Sequence, residues 1–422
     1  MKYTIKKYFF LFFLLLFSFE IFAQNSSLIV PLTLANAIKQ ATENNLSLKA
    51  ANLNIEYQKQ LQKTAVDIPK TDFTLTYGQF NSAVLDNGLA FSQKIPYPST
   101  FSKQRKLAEA NTQNADFQQK ITKNELVYQV KMAYNFALFT KAQNMLFLYQ
   151  DTIINSFLKM SELRFKTGET NSLEKNIAQS QSLEVKNLLL INENDQKTAK
   201  IKLQTLLNTN LSINDNLELA EKLTKRDFTA NFDTTKINEN PVLKAFKYQI
   251  EISKLTQSVE KSRLLPDFSI GAFSQTLTGY QQKEDRTETY YGTNTRFNGI
   301  VVGVSVPIFA KAQKARFRAT KVQQQLAQAN YEYQKRTLQG QYAQTVQEFV
   351  KFQSNLAYYE QTALPMSAEI IKTSEKLFRS GSIGYLEYLA GFNNAISIQK
   401  NYLDALYQYN QQIFLIEFLL SE

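Results

Sequence analysis

The sequence predicts a mixed α/β membrane protein in which long helical rods carry four β-strands. Three observations point there: the chain is an internal duplication, each half switches its hydrophobic period from helix to strand and back, and each half holds one exceptionally long helical run.

The duplication comes first because it sets the frame. Asn45-Leu46-Ser47-Leu48-Lys49-Ala50 returns as Asn240-Pro241-Val242-Leu243-Lys244-Ala245. At the same offset Ile55-Glu56 matches Ile250-Glu251, and Asp72-Phe73 matches Asp267-Phe268. Further on, Pro96 matches Pro307, Arg105 matches Arg316, and Gly168 with Leu173-Glu174 matches Gly381 with Leu386-Glu387. The repeats cover about residues 32–208 and 239–421, and their main length difference falls between Phe73 and Pro96, where a loop can grow without disturbing a core.

Each half then reads helix, hairpin, helix, turn, helix. Thr33 to Val66 is rich in Ala, Leu, Lys, Gln and Asn without Gly or Pro, a helix-forming composition. From Asp72 to Phe80 the residues alternate, with Phe73, Leu75 and Tyr77 on one face and Thr74, Thr76 and Gly78 on the other. Leu89, Phe91 and Ile95 continue that theme. In the second half Phe268, Ile270 and Ala272 alternate with Ser269 and Gly271, and Ile300, Val302, Val304 and Val306 with Val301, Gly303 and Ser305. Four such strands have about the length that crosses a bilayer at a tilt. Pro69, Pro96, Pro266 and Pro307 stand at their edges, as suits a residue that neither continues a helix nor donates to a ladder.

Ser99 to Phe165 contains no Gly or Pro, and Leu126, Val130, Ala133 and Ala137 form one apolar stripe, so the expected rod is about 100 Å long. Ala310 to Phe378 repeats it, with a bend expected at Pro365. Thr33–Val66 and Ser172–Leu207 are each about half that length, so two half-length helices can stack end to end beside one rod.

The first residues have a basic start, a short apolar core from Tyr8 to Phe22 and a small residue at Ala23, the three parts of a secretory signal peptide over residues 1–23. Zero Cys excludes disulfides, and zero His with zero Cys removes the usual ligands of zinc or copper and leaves no Ser-His or Cys-His nucleophile pair. The expectation is a non-enzyme with no cofactor and no metal site. The net charge of +11 raises nucleic acid as a partner, but Lys and Arg are read as interspersed with Glu and Asp along helices, so nucleic acid is not expected. No apolar run in residues 24–422 is long enough for a spanning helix, which leaves β-strands as the means of crossing a membrane.

A four-stranded sheet has two open edges, and open edges cannot face lipid. Three chains would supply twelve strands, an even number within the range of bacterial barrels, with the helices forming a coiled-coil tube beneath. A secreted coiled-coil structural or adhesive protein would explain the rods but not the strands. A general porin would explain the strands but not the rods.

The residues resemble the TolC family of outer-membrane efflux proteins. The resemblance rests on Leu32-Thr33-Leu34 with Ala35, Ala37, Ala41, Asn44 and Asn45. It continues in Arg164-Phe165-Lys166-Thr167-Gly168 through Leu173-Glu174, in Leu377-Phe378-Arg379-Ser380-Gly381 through Tyr385-Leu386-Glu387, and in Asn401 to Asn410. It implies a TolC-like fold: a homotrimer whose α-helical barrel in the periplasm is continuous with a 12-stranded β-barrel in outer-membrane lipid. The implied partners are a periplasmic adaptor and an inner-membrane pump of the resistance-nodulation-division (RND) superfamily. Asp67 to Thr71, Tyr77 to Ser82, Asp86 and Ser92-Gln93 resemble more narrowly the channel partners of heavy-metal pumps of the CusA/CzcA type, which implies cation efflux. A type I secretion exit duct is the alternative.

The resemblance places adaptor contacts at Arg164, Thr167, Gly168, Glu169, Arg379, Ser380, Gly381 and Ser382, and an aperture at Glu174 and Glu387. Glycine is also the expected left-handed helix cap, and an acid in a first helical turn is favoured by the dipole alone. The family pattern breaks at Ile177 and Ala390, where a second aperture carboxylate would stand, and at Ile383, where a gating arginine would stand. Tyr280 to Asn298, polar and Tyr-rich, is expected to be a long extracellular loop.

Overall fold

A computed structural model describes residues 31–209, 218–228 and 234–421. The expected signal peptide lies outside the described residues. Helix α1 (Leu34–Asn44) and α2 (Leu46–Gln62) precede strands β1 (Asp72–Gly78) and β2 (Asp86–Ile95), followed by α3 (Pro98–Lys166) and α4 (Ser172–Leu207). The second half runs α5 (Pro241–Ser262), β3 (Asp267–Thr276), β4 (Gly279–Gln282), β5 (Glu288–Tyr291), β6 (Arg296–Ser305), α6 (Lys311–Tyr358), α7 (Leu364–Arg379) and α8 (Tyr385–Leu420).

The first helix of each half differs from expectation in an instructive way. Thr33 to Val66 is not one helix but two, broken at Asn45. Asn45 leaves the helical region with ψ 130°, accepts from Ser47 N at 2.9 Å to cap α2, and donates to Leu206 O at 2.9 Å. Asn240 repeats the device: it caps α5 by accepting from Val242 N at 2.9 Å and donates to Leu419 O at 2.9 Å. In each half one asparagine thus starts a helix and satisfies an orphan carbonyl at the end of another. The expected end-to-end meeting is therefore made by α2 alone against the end of α4, and by α5 against the end of α8.

The rods form as expected. Helix α3 has 69 residues, about 100 Å at the standard rise. In the second half the rod is α6, a π-helical turn at Tyr359–Ala363, and α7. Leu364 N–H reaches back to Tyr359 O, so the irregularity expected at Pro365 takes the form of a widened turn just before it. Two apolar cores repeat the duplication: Ala37, Leu48, Val130, Tyr134 and Leu203 in the first half, Leu243, Tyr342, Phe349, Leu356 and Ile413 in the second.

The four expected strands form one antiparallel sheet in the order β1-β2-β3-β6, so each repeat supplies one hairpin and β2 pairs with β3 across the repeats. The register aligns Phe73, Phe91, Ala272 and Ile300 in one row, then Gln93, Ile270 and Val302, and then Ile95, Phe268 and Val304, all on one face. The other face carries Thr74, Ala90, Ser92, Ser269, Gly271 and Gly303. On the first face Phe73 is 76% exposed, Ile300 78% and Val302 74%. Such a patch is far beyond what a soluble surface tolerates and is what a lipid-facing wall requires. Among the described residues no helix is long and apolar enough to cross a membrane.

The segment expected to be a loop, 280–298, is a second hairpin instead: β4 pairs with β5, with Tyr280 edge-on to Tyr290, and then the chain enters β6. Alternating Tyr and Thr gave it strand character that its charges obscured. It accounts for much of the extra length of the second repeat.

Sequence reasoning also missed a strap. Residues 218–228 cross between the repeats, with Leu219 bridging Leu32, Thr224 O accepting from Asn410 and Lys225 pairing with Glu360 at 2.8 Å. No periodic pattern marks this segment, since its contacts are backbone and single side chains.

Candidate functional site

The end of the rods opposite the sheet is built by two helical turns. Both long helices end in the same left-handed cap: Gly168 has φ 77° and Gly381 φ 71°. Gly168 N–H bonds Phe165 O at 3.2 Å and Glu169 N–H bonds Arg164 O at 2.8 Å; Gly381 N–H bonds Phe378 O at 3.1 Å and Ser382 N–H bonds Leu377 O at 2.9 Å. These paired bonds satisfy the last carbonyls of each rod and reverse the chain. A Cβ at either glycine would meet nothing within 4 Å, so backbone conformation and not crowding calls for glycine there.

The other expected tip residues gather around these caps. Thr167 Oγ1 donates to Arg164 O at 3.1 Å, Ser380 Oγ donates to Leu377 O at 3.0 Å and lies 2.8 Å from Ser382 Oγ, and Arg379 pairs with Glu375. The two turns share one core. Phe157 of α3 packs edge-on against Phe378, Tyr385 and Tyr388, with Ala178 and Val185 of α4 completing the cluster. Ile177 and Ile383, where the family pattern breaks, pack against the same cluster and serve its core.

Glu174 and Glu387 are equivalent in sequence but unequal in their contacts. Glu174 accepts from Arg164 Nη1 at 3.0 Å and from Thr170 Oγ1 at 2.5 Å, and its side chain is 15% exposed. Position 377, the counterpart of Arg164, is leucine. Glu387 is exposed, makes none of the ion pairs found among the described residues, and bends back to accept from the Gly384 N–H at 2.9 Å, which satisfies the backbone donor just before α8. The first carboxylate is thus neutralised within the chain, whereas the second keeps its charge toward solvent. Sequence reading missed Tyr385: burial, and then the charge of Glu174, push its phenol up to about 12. The aromatic pair Tyr385 and Tyr388 at helical spacing was the available signal.

Among the described residues no group of three or more Asp, Glu, His or Cys is placed to hold a metal ion. The arrangement offers a shaped, partly charged end of a rod.

The family of outer membrane efflux proteins matches residues 236–420. No curated protein matches the chain. Among solved structures, the outer membrane protein VceC of Vibrio cholerae superposes with a TM-score of 0.75 at 14% identity, over 92% of this chain and 95% of that one. CusC gives 0.74 at 15%, over 93% and 92%, and the CmeC outer membrane channel of Campylobacter jejuni 0.75 at 13%, over 92% and 85%. Identities this low establish a shared fold. The second repeat is thus similar to the outer membrane efflux proteins, and nearly the whole chain shares the fold of solved outer-membrane channels.

Proposed function

We propose that this chain is the exit duct of a tripartite efflux system: three copies close a 12-stranded barrel, and their rods form a periplasmic tube that meets an adaptor and an inner-membrane RND pump. The observation that carries the reading is the four-stranded sheet. It has one strongly exposed apolar face and two free edges, β1 and β6, and it is attached to rods about 100 Å long. Unpaired strand edges cannot face hydrocarbon, so the sheet needs copies of itself to close.

In this reading the turns at Gly168 and Gly381, with Arg164, Thr167, Glu169, Arg379, Ser380 and Ser382, contact the adaptor. Glu387 supplies the charge of the aperture, and Glu174 holds the tip together through Arg164. The cargo includes heavy-metal cations, on the strength of the sequence resemblance around Asp67 to Gln93. With no metal-holding cluster among the described residues, selection falls to the pump. The chain supplies passage and no energy.

Deleting the gene should raise sensitivity to the pump's cargo, and the purified protein should form ion-conducting pores in planar bilayers. A protein that inserts but does not conduct, with cargo resistance unchanged in the deletion, would overturn the assignment.

A further inference from the structure

The net charge of the chain is not spread evenly. No acidic residue occurs between Glu288 and Glu332, a stretch that includes β6 and the first turns of α6, and Lys311, Lys314, Arg316, Arg318 and Lys321 fall within it. The sequence expectation of interspersed charge fails here. Spacings of three and four put Lys311, Lys314, Arg318 and Lys321 on one stripe of α6. All four are exposed, and none makes an ion pair with another described residue. At the matching level of the first repeat, α3 starts with Lys103, Arg105 and Lys106, and no acid stands between Asp86 and Glu109.

This pattern is unfavourable by itself. The start of a helix carries a partial positive charge and prefers acids, yet the first turn of α6 has none, and like charges at these spacings repel. An external anion would remove both costs.

Position identifies the anion. The stripe begins along the chain just after β6, following Val304 and Val306. Ile308 is 83% exposed and Phe309 94% between strand and helix. Apolar wall, exposed aromatic and aliphatic residues, then long cationic side chains is the order of a bilayer interface read from hydrocarbon to headgroup. The flank of α6 next to the stripe, with Ala315, Val322 and Leu326, is exposed and apolar, and Arg316 stands beyond it.

We propose that Lys311, Lys314, Arg318 and Lys321 form a collar that binds the phosphate groups of anionic phospholipids in the periplasmic leaflet. The collar seats the barrel at a fixed depth, with Arg105 and Lys106 of α3 adding to it. It rests on the outer-membrane placement of the sheet but not on any adaptor, pump or cargo.

The test uses the full protein in nanodiscs of phosphatidylcholine with or without phosphatidylglycerol, counting retained lipids by native mass spectrometry. The wild type should retain phosphatidylglycerol preferentially, each Lys or Arg replaced by Gln should lower the preference about fivefold at low salt, and high salt should erase it. K311Q/K314Q/R318Q/K321Q should lose the preference, whereas the charge-preserving K311R/K314R/R318K/K321R should keep it, which separates charge from folding. Equal retention of both lipids by the wild type would overturn the proposal. So would inorganic phosphate displacing the lipid, or a quadruple Gln variant whose lipid preference is unchanged while its pore changes ion selectivity, since the stripe would then face the lumen. Failure to insert at all would instead count against the barrel itself.

Discussion

At the residue scale, the two tip glycines and the two tip glutamates behave differently under substitution. Gly168→Val and Gly381→Val place a β-branched side chain at positive φ in otherwise open space, so each should cost about 1–2 kcal/mol locally. Hydrogen exchange at the tip should rise and cargo resistance should fall, with insertion intact; unchanged resistance in both would remove these turns from the docking surface. Glu387→Gln should weaken cation preference in planar bilayers, while Glu174→Gln, whose partner Arg164 already neutralises the charge, should change selectivity little and loosen the tip instead. The reverse ranking would mean that the assembled protein breaks the Arg164 pair. Tyr385 gives an independent probe. Its raised pKa means that the folded tip binds its proton more tightly than the unfolded chain, so this stabilisation is complete below pH 10 and is lost as pH rises toward about 12. Removing the Glu174 charge should lower the Tyr385 pKa in an ultraviolet titration; an unchanged value would exclude that coupling.

At the scale of elements, the rods and strands were legible because long periodic segments carry strong signals. What escaped the sequence was decided by single contacts. The break at Asn45 depends on one side chain capping one helix and bonding the end of another, and composition alone favours an unbroken helix there. The tip glycines were legible as caps because glycine is the usual residue for that conformation. The unequal roles of Glu174 and Glu387 were not, since Arg164 faces one of them only once the hairpin closes. Asn45→Ala and Asn240→Ala should each cost about 1–2 kcal/mol, losing a cap and leaving a carbonyl of Leu206 or Leu419 without its donor. Neutral effects in thermal unfolding would make these bonds incidental. On the sheet, Val302→Lys on the apolar face should impair insertion by about 2–4 kcal/mol, whereas Val301→Lys on the opposite face should be tolerated. Equal defects would mean that the faces are misassigned.

At the scale of the whole molecule, the duplication explains how the four-stranded sheet is built. Each repeat supplies one hairpin to the four-stranded sheet, the two hairpins join through β2 and β3, and the outer strands β1 and β6 have no further partner among the described residues. Those two edges lie three strand spacings apart, about 14 Å, so they cannot bond within one chain without rolling the sheet shut. The measurement that tests this most directly is cysteine crosslinking, for which a chain without native cysteine is well suited. One cysteine replaces Thr74 on β1, and a second is moved in turn through Gly299, Val301 and Gly303 of β6, all on the same face. Oxidation in membranes should give, at one or more of these positions, a ladder that ends at three covalently joined chains. A folded, inserted protein that gives only intramolecular bonds, or a ladder ending at another number, would contradict the trimeric barrel.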